Sequence, residues 1–231
     1  MINSPLWCVV PAAGRGTRVG GDRPKQYLPL AGRPLLLHTL ERLAAHPGIA
    51  GLLVTLAADD ALWPGVDTLA GKPVLTAIGG AERCDSVLAG LDSLPDTVAG
   101  DDFVLVHDAA RPCVRVADIG ALMDRAGAAD GGLLGAPLRD TLKRADAQGR
   151  SALTEPRDMR WRAFTPQMFR RGPLAVALRD AAGKGVAVSD EAMAMELAGY
   201  APLLVEGAED NIKVTTAADF ALAEYLLAKT A

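Results

Sequence analysis

Leu6-Trp-Cys-Val-Val10 runs straight into Pro11-Ala-Ala-Gly-Arg-Gly-Thr-Arg-Val-Gly-Gly-Asp-Arg-Pro-Lys25, and this junction decides the fold. The leading residues are continuously apolar, as in a strand buried on both faces of a parallel sheet. The loop that follows carries Gly14, Gly16, Gly20 and Gly21, which permit tight turns and close backbone approach. The same alternation repeats downstream. Pro34 sits where a helix can begin, with Leu35, Leu36, His38, Thr39, Leu40 and Leu43 on its apolar face. Residues 51–56 and 74–78 read as strands, 83–91 as a helix, 103–106 as a buried strand, 118–128 as a helix and 132–136 as a strand. Residues 168–182 and 190–197 read as helices, 202–205 as a strand and 217–227 as a closing helix. This βα alternation predicts an α/β fold: an open, mostly parallel twisted sheet with helices on both faces. Ligands of such sheets bind beyond the carboxyl ends of the strands, so the residues after each strand are the ones to read for chemistry.

Residues 137–160 break the pattern: charge is dense and hydrophobic periodicity weak. Two short strands over 141–144 and 151–154, joined by a turn at 146–149, fit this stretch as a projecting β-hairpin arm. A lone hairpin is marginal in water, so the arm is either a mobile surface element or packs on another subunit. No repeat or linker divides the chain, which reads as one domain, 1–231, with 137–160 as its arm.

Composition narrows the function. Half of the 231 residues are hydrophobic, 23% are charged and the net charge is −4, which favours a buried core over disorder. That charge argues against coating nucleic acid or an anionic membrane through bulk electrostatics. Cys8, Cys84 and Cys113 are odd in number and widely spaced, and His38, His46 and His107 form no metal-ligand spacing. Neither a secretory leader nor an apolar run of membrane-spanning length is evident, so a reducing, cytoplasmic setting is expected.

Four loops carry candidate chemistry. The first adds Arg15, Arg18, Arg23 and Lys25 to its glycines, a combination suited to a polyphosphate. A dinucleotide-binding loop is the competing reading, but Val19 stands where its third glycine belongs and Pro24 interrupts the expected helix. The second, Val106-His-Asp-Ala-Ala-Arg-Pro112, puts Asp108 at a strand's carboxyl end, either as a ligand or as a helix cap. Arg111 could pair with Asp108 or bind phosphate, and Ala109 and Ala110 permit close approach. The third, Gly79-Gly-Ala-Glu-Arg-Cys-Asp-Ser86, starts a helix and could offer N–H groups to a ligand. In the fourth, Asp210-Asn-Ile-Lys-Val-Thr215, a strand-like stretch would turn Lys213 away from Ile212 and Val214; a solvent-exposed lysine is the plainer reading of that segment.

Taken together, these segments resemble the 2-C-methyl-D-erythritol 4-phosphate cytidylyltransferases. The resemblance runs from Pro11 to Thr215 through PAAGRGTR, PKQYLPLAGRPLLLHTL, ERCDSVLAGL, VLVHDAARP, PLRDTLKR, WRAFTPQMF, SDEA and VEGAEDNIKVT, in the family's order. It implies a Rossmann-like nucleotidyltransferase fold and transfer of the cytidylyl group of CTP to a polyol phosphate, with release of pyrophosphate. By resemblance, Arg18, Lys25, Arg157 and Lys213 are the catalytic cations. Pro11, Ala12, Ala13, Gly14, Gly16, Gly80, Ala81, Ser86, Asp108 and Ala109 hold the nucleotide. Asp108, Arg111, Thr141, Arg157, Thr165, Ser189 and Lys213 hold the second substrate. Mg²⁺ is implied, carried chiefly by the CTP phosphates with no protein metal site, and the arm is implied to reach across a homodimer into the neighbouring site.

Two positions depart from the family pattern. Ala81 stands where an acidic residue is expected, and Ser189 replaces a frequent threonine while keeping a hydroxyl. The fused cyclodiphosphate synthase domain of some members is not expected here. Rival readings are a ribitol 5-phosphate cytidylyltransferase, a sugar nucleotidyltransferase and a non-catalytic nucleotide sensor; the last would be expected to lack Arg18, Lys25 or Lys213, since binding alone needs no transition-state cations.

Overall fold

Successive side chains of a strand point to opposite faces, and the first strand shows the consequence. In β1 (Leu6–Pro11), Cys8 and Val10 enter one hydrophobic cluster and Val9 enters another, all without solvent exposure. A strand with no polar face needs cover on both sides. The computed structural model, which describes residues 5–14 and 23–229, supplies that cover.

After β1 come a small hairpin, β2 (Pro29–Leu30) and β3 (Arg33–Pro34), and then α1 (Leu35–Ala44). The chain continues through β4 (Ile49–Leu56), β5 (Thr68–Leu69), β6 (Lys72–Ile78), α2 (Arg83–Asp92), β7 (Phe103–Val106), α3 (Val116–Ala126) and β8 (Gly132–Pro137). It ends with β9 (Leu142–Ala145), β10 (Ser151–Glu155), β11 (Trp161–Arg170), α4 (Arg171–Gly183), α5 (Glu191–Leu197), β12 (Leu203–Glu206) and α6 (Ala217–Lys229). Eight strands form the main sheet in the order β12-β8-β11-β7-β1-β4-β6-β5. The pairs β1–β4, β1–β7, β4–β6 and β12–β8 are parallel; β11 runs antiparallel to both β7 and β8, and β5 antiparallel to β6.

One face is covered by α1 and α3, whose Leu36, Leu40, Leu43, Ile119 and Leu122 meet Cys8, Val10, Leu52 and Leu105. The other is covered by α2, α4 and α5, whose Val87, Leu91, Leu174, Leu178 and Met195 meet Val9, Leu53, Val104 and Phe169. A third cluster seats α6, through Ala223, against Leu30, Leu35, Ala110, Cys113 and Val214. The strand order reverses at β1, which lies between β4 and β7. That reversal opens a crevice at the carboxyl ends, where the loops after β1, β6 and β7 converge.

Two sequence expectations are corrected. Residues 168–170, read as the start of a helix, belong to β11, and the helix begins at Arg171. Met168 is buried in one cluster and Phe169 in the other, which is strand behaviour between two covered faces. A short apolar run of this kind cannot be told from a buried helix by periodicity alone. The stretch 210–215 forms no strand; Val214 instead donates its N–H to the Ala110 carbonyl at 2.8 Å and is buried, while Lys213 turns the other way.

The arm is present as an antiparallel pair, β9 with β10, separate from the main sheet. Its turn is closed by Asp146, whose carboxylate accepts from the backbone N–H groups of Gln148 at 3.0 Å and Arg150 at 2.9 Å. Gly149 occupies a left-handed φ of 76°, which a side chain would strain. Leu153, the one large apolar side chain of β10, is 46% exposed.

Candidate active site

The loops after β1, β6 and β7 enclose a cavity of about 250 Å³ lined by Pro11, Ala12, Ala13, Gly14, Gly80, Ala81, Ser86, Asp108 and Ala109, with Lys25 and Lys213 at its walls. Close approach of the loops depends on small residues. A Cβ on Gly79 would lie 2.6 Å from the Ala13 Cβ, and one on Gly80 would lie 2.3 Å from the Asp85 Cβ. The turn into α2 is held by a capping box between Glu82 and Asp85. The Ser86 hydroxyl lies 3.2 Å from the Gly80 N–H and 3.1 Å from the Glu82 carbonyl. Ser86 therefore shapes this turn from within, and Ala81 presents only a methyl group and backbone to the cavity.

Asp108 is the centre of the floor. Its Oδ1 accepts from Arg83 Nε at 2.9 Å; its Oδ2 lies 2.9 Å from Lys213 Nζ and 3.5 Å from Arg111 Nε. Burial opposes ionisation of this carboxyl, but Arg83, Lys213 and Arg111 together hold it far below the ordinary carboxylate range. Arg83 is bound in turn by Glu191, bidentately at 2.6 and 3.1 Å, and Glu191 is fully buried. Burial works against the Arg83 charge, yet Glu191 and Asp108 outweigh it and raise the guanidinium above its ordinary range. Three cations facing two carboxylates leave the floor net positive, which suits an anionic ligand.

Behind Asp108 lies a buried hydrogen-bond chain whose directions can be assigned. His107 Nε2 is 3.1 Å from the Arg111 carbonyl, an acceptor only, so that nitrogen carries the proton. His107 Nδ1 is then the acceptor for the Thr165 hydroxyl at 3.0 Å, and Thr165 Oγ1 accepts the Asp108 N–H at 3.0 Å. Burial pushes His107 down to about 4, so the ring stays neutral at physiological pH. The single hydroxyl proton of Thr165 is committed inside this chain, and Thr165 is 4% exposed. Its placement is behind the site and not on the cavity wall.

Arg111 is also buried, donating Nη1–H to the Asn211 carbonyl at 2.6 Å and lying 5.2 Å from the Phe164 ring centre. Burial lowers its pKa, with Asp108 acting in opposition. Lys25 belongs to a short 3₁₀ turn, Lys25–Tyr27, and its Nζ donates to the Val214 carbonyl at 3.1 Å. The lysines from the first and last loops thus share one wall of the cavity.

Of the remaining expected residues, the three that are described lie elsewhere. Gly16 and Arg18 are outside the described residues. Thr141 and Arg157 lie on the arm, exposed, with Arg157 Nη1 donating to the Arg139 carbonyl. Ser189 faces a separate groove with Trp161, Ala163, Met193 and Leu204. Sequence reasoning assigned no role to Arg83, Glu191 or Gln26. Arg83 offered one signal: it is the first residue of α2, where a cation opposes the helix dipole and needs another reason to be there.

Known proteins are similar to this chain in sequence and in fold. A family model described as IspD, 2-C-methyl-D-erythritol 4-phosphate cytidylyltransferase, matches residues 6–229. The enzyme of that name from Stenotrophomonas maltophilia is 58% identical over 232 residues, spanning 100% of both chains. Its counterpart from Xanthomonas campestris pv. campestris is 59% identical over 225 residues, covering 96% of this chain and 84% of the relative. Among solved structures, a 4-diphosphocytidyl-2C-methyl-D-erythritol synthase superposes with TM-score 0.84 at 34% identity, covering 97% of this chain and 99% of the other. The Francisella tularensis 2-C-methyl-D-erythritol 4-phosphate cytidylyltransferase gives TM-score 0.83 at 32% identity, over 96% and 100% of the two chains. The chain belongs to the 2-C-methyl-D-erythritol 4-phosphate cytidylyltransferase family.

Proposed function

We propose that the Asp108-centred cavity is where this nucleotidyltransferase joins CTP to 2-C-methyl-D-erythritol 4-phosphate, giving 4-diphosphocytidyl-2-C-methyl-D-erythritol and pyrophosphate. The observation that carries this reading is the net-positive floor, with Lys25 and Lys213 on one wall beside a small-residue nucleotide loop. A phosphate oxygen of the acceptor attacks the α-phosphorus of CTP. The bond from that phosphorus to the bridging oxygen breaks, and pyrophosphate leaves with the electron pair. The nucleophile is already an anion, so no general base is needed; His107, buried and with its proton committed, is not placed to act as one. The work left to the protein is to hold two anions together and stabilise charge at phosphorus. In this reading Lys213, fixed by Asp108, grips the incoming phosphate, and Lys25 and Arg18 meet the triphosphate.

Mg²⁺ fits this site as an ion carried by the nucleotide. Among the described residues no three His, Cys, Asp or Glu side chains stand together as ligands, and both Asp108 oxygens face cations. When bound, the ion supplies charge neutralisation across the phosphates, and chelation is expected to abolish turnover.

The deciding assay measures pyrophosphate release from CTP with methylerythritol 4-phosphate and ribitol 5-phosphate offered in parallel. Turnover with the first alone is expected. Turnover with ribitol 5-phosphate alone would overturn the acceptor, and CTP binding without turnover would favour a sensor.

The arm supports a second element of the proposal: a homodimer in which Thr141 and Arg157 act in the neighbour's site. Both are exposed on a hairpin that pairs only with itself among the described strands. Mixing inactive Arg157→Ala and Lys213→Ala chains tests this. Action across the dimer restores about a quarter of the activity, because half the dimers are mixed and each has one intact site. Action within one chain restores none.

A further inference from the structure

We propose that Gln26 is a positioning residue that turns the first loop's polarity toward phosphate. A backbone loop is ambivalent toward an anion: its N–H groups attract phosphate and its carbonyl oxygens repel it. Each trans peptide sets its N–H and C=O on opposite sides, so holding the carbonyl fixes where the N–H points. Gln26 holds two of the loop's carbonyls, and through the first it orients the Ala13 N–H. Its Nε2 donates to the Ala12 carbonyl at 2.7 Å and to the Gly14 carbonyl at 3.0 Å. Two acceptors at one end of the side chain require that end to be the NH₂ group, and both its protons are used.

The setting makes this a built arrangement. Gln26 is 5% exposed and borders the cavity, so an amide left unpaired there would carry a desolvation cost. The 3₁₀ turn spreads three neighbouring side chains about 120° apart. Lys25 reaches the Val214 carbonyl, Gln26 the loop, and Tyr27 enters the core with its hydroxyl 2.7 Å from Asp60 Oδ2. On the other side of the loop, the Ala12 N–H is held by the Thr55 carbonyl at 2.9 Å. Ala12 is therefore fixed through both its N–H and its carbonyl, by β4 and by Gln26.

This inference rests on residues 11–14 being the nucleotide loop, and the test separates the two. CTP binding is measured by calorimetry without acceptor for wild type, Gln26→Met and Gln26→Glu, alongside thermal melting and steady-state KM for each substrate. Gln26→Met keeps size and burial but frees both carbonyls, and is expected to weaken CTP about tenfold. Gln26→Glu adds an anion facing both carbonyls and the phosphates, and is expected to weaken CTP about a hundredfold. The KM for methylerythritol 4-phosphate should stay within about twofold in Gln26→Met, since Lys213 and Asp108 are untouched. Wild type failing to bind CTP would remove the nucleotide reading itself. Wild-type binding matched by both variants would overturn the role of Gln26, as would equal rises in both KM values with a lowered melting temperature.

Discussion

The floor around Asp108 and the arm beyond it are built from the same residue types and behave as opposites. In the floor, Arg83, Arg111 and Lys213 meet Asp108 and Glu191 with the carboxylates at most 9% exposed. In the arm, Arg144 and Arg160 meet Glu155, and Arg150 meets Asp146, with the arginines 51–75% exposed. Buried carboxylates are expensive unless each is answered, and here Asp108 is met by three cations and Glu191 by Arg83. Charges left in water are screened and interchangeable, so the arm's pairs specify little. The floor holds a geometry by itself. The arm, lacking a core, holds its own hairpin pairing but nothing of its own fixes where its tip goes.

That contrast can be broken most forcefully at Glu191. Removing it by Glu191→Ala leaves the partly buried Arg83 with Asp108 alone, and is expected to cost about 3 kcal/mol of stability. Denaturant unfolding measures this. A loss below about 1 kcal/mol would show that the floor tolerates the loss of one of Arg83's two carboxylates as the surface does.

The floor should also respond to pH. His107 is held neutral with its value lowered to about 4 from an ordinary 6.5 by burial. Between these values the unfolded chain binds the proton and the folded chain does not, so stability falls as pH drops from about 6.5 to about 4. The loss from this group alone is about 3 kcal/mol at most. Half-buried His46 adds a slope of the same sign through its own burial and nearby Lys72. Asp108 works in a different window. Its depressed carboxyl contributes fully above the ordinary carboxylate value, and that contribution is lost only below about pH 3.9. Urea unfolding from pH 7 to 4 should therefore show a decline that His107→Asn flattens; an unchanged slope would refute the assignment to His107.

Legibility followed the same divide. The parallel strands 103–106 and 51–56 announce themselves because a strand covered on both faces has no polar alternation to confuse it. The end of β11, 168–170, resembles a helix start for that very reason, since Met168 and Phe169 feed two cores. In the site, Asp108 and Lys25 were legible as charges at a strand end and a glycine-rich loop, whereas Lys213 read locally as a solvent-exposed lysine and was singled out only by the family resemblance. Glu191 was not, because an acidic residue in the first turn of a helix is ordinary, and Arg83 showed only its unfavourable place at the start of α2. Their meaning lies in a pairing between residues 108 positions apart, which no local pattern encodes. The arm's separation from the sheet was readable from its charge density, and a docking surface for it was implied only by the family resemblance.

Thr165 sharpens the comparison on a smaller scale. Thr165→Val keeps the shape but removes the oxygen that accepts the Asp108 N–H and donates to His107. Two buried polar groups lose a partner, and the expected cost is about 1–3 kcal/mol of stability. If Thr165 acts only from behind Asp108, the KM for the acceptor should rise little compared with kcat. A selective rise in acceptor KM would instead place its hydroxyl on the substrate.

The smallest effect belongs to the arm, and its smallness is the point. Arg144→Ala deletes an ion pair with Glu155 at 3.6 Å in which the arginine is 65% exposed. Within an isolated chain it should shift stability by about 0–1 kcal/mol. Arm pairs that serve only a solvated hairpin would leave activity unchanged at every protein concentration. If the hairpin instead docks on a second chain, the same substitution acts where solvent is excluded, and activity should fall more steeply on dilution than in wild type. Specific activity measured across a dilution series therefore reports whether these charges spend their working life in water or in an interface.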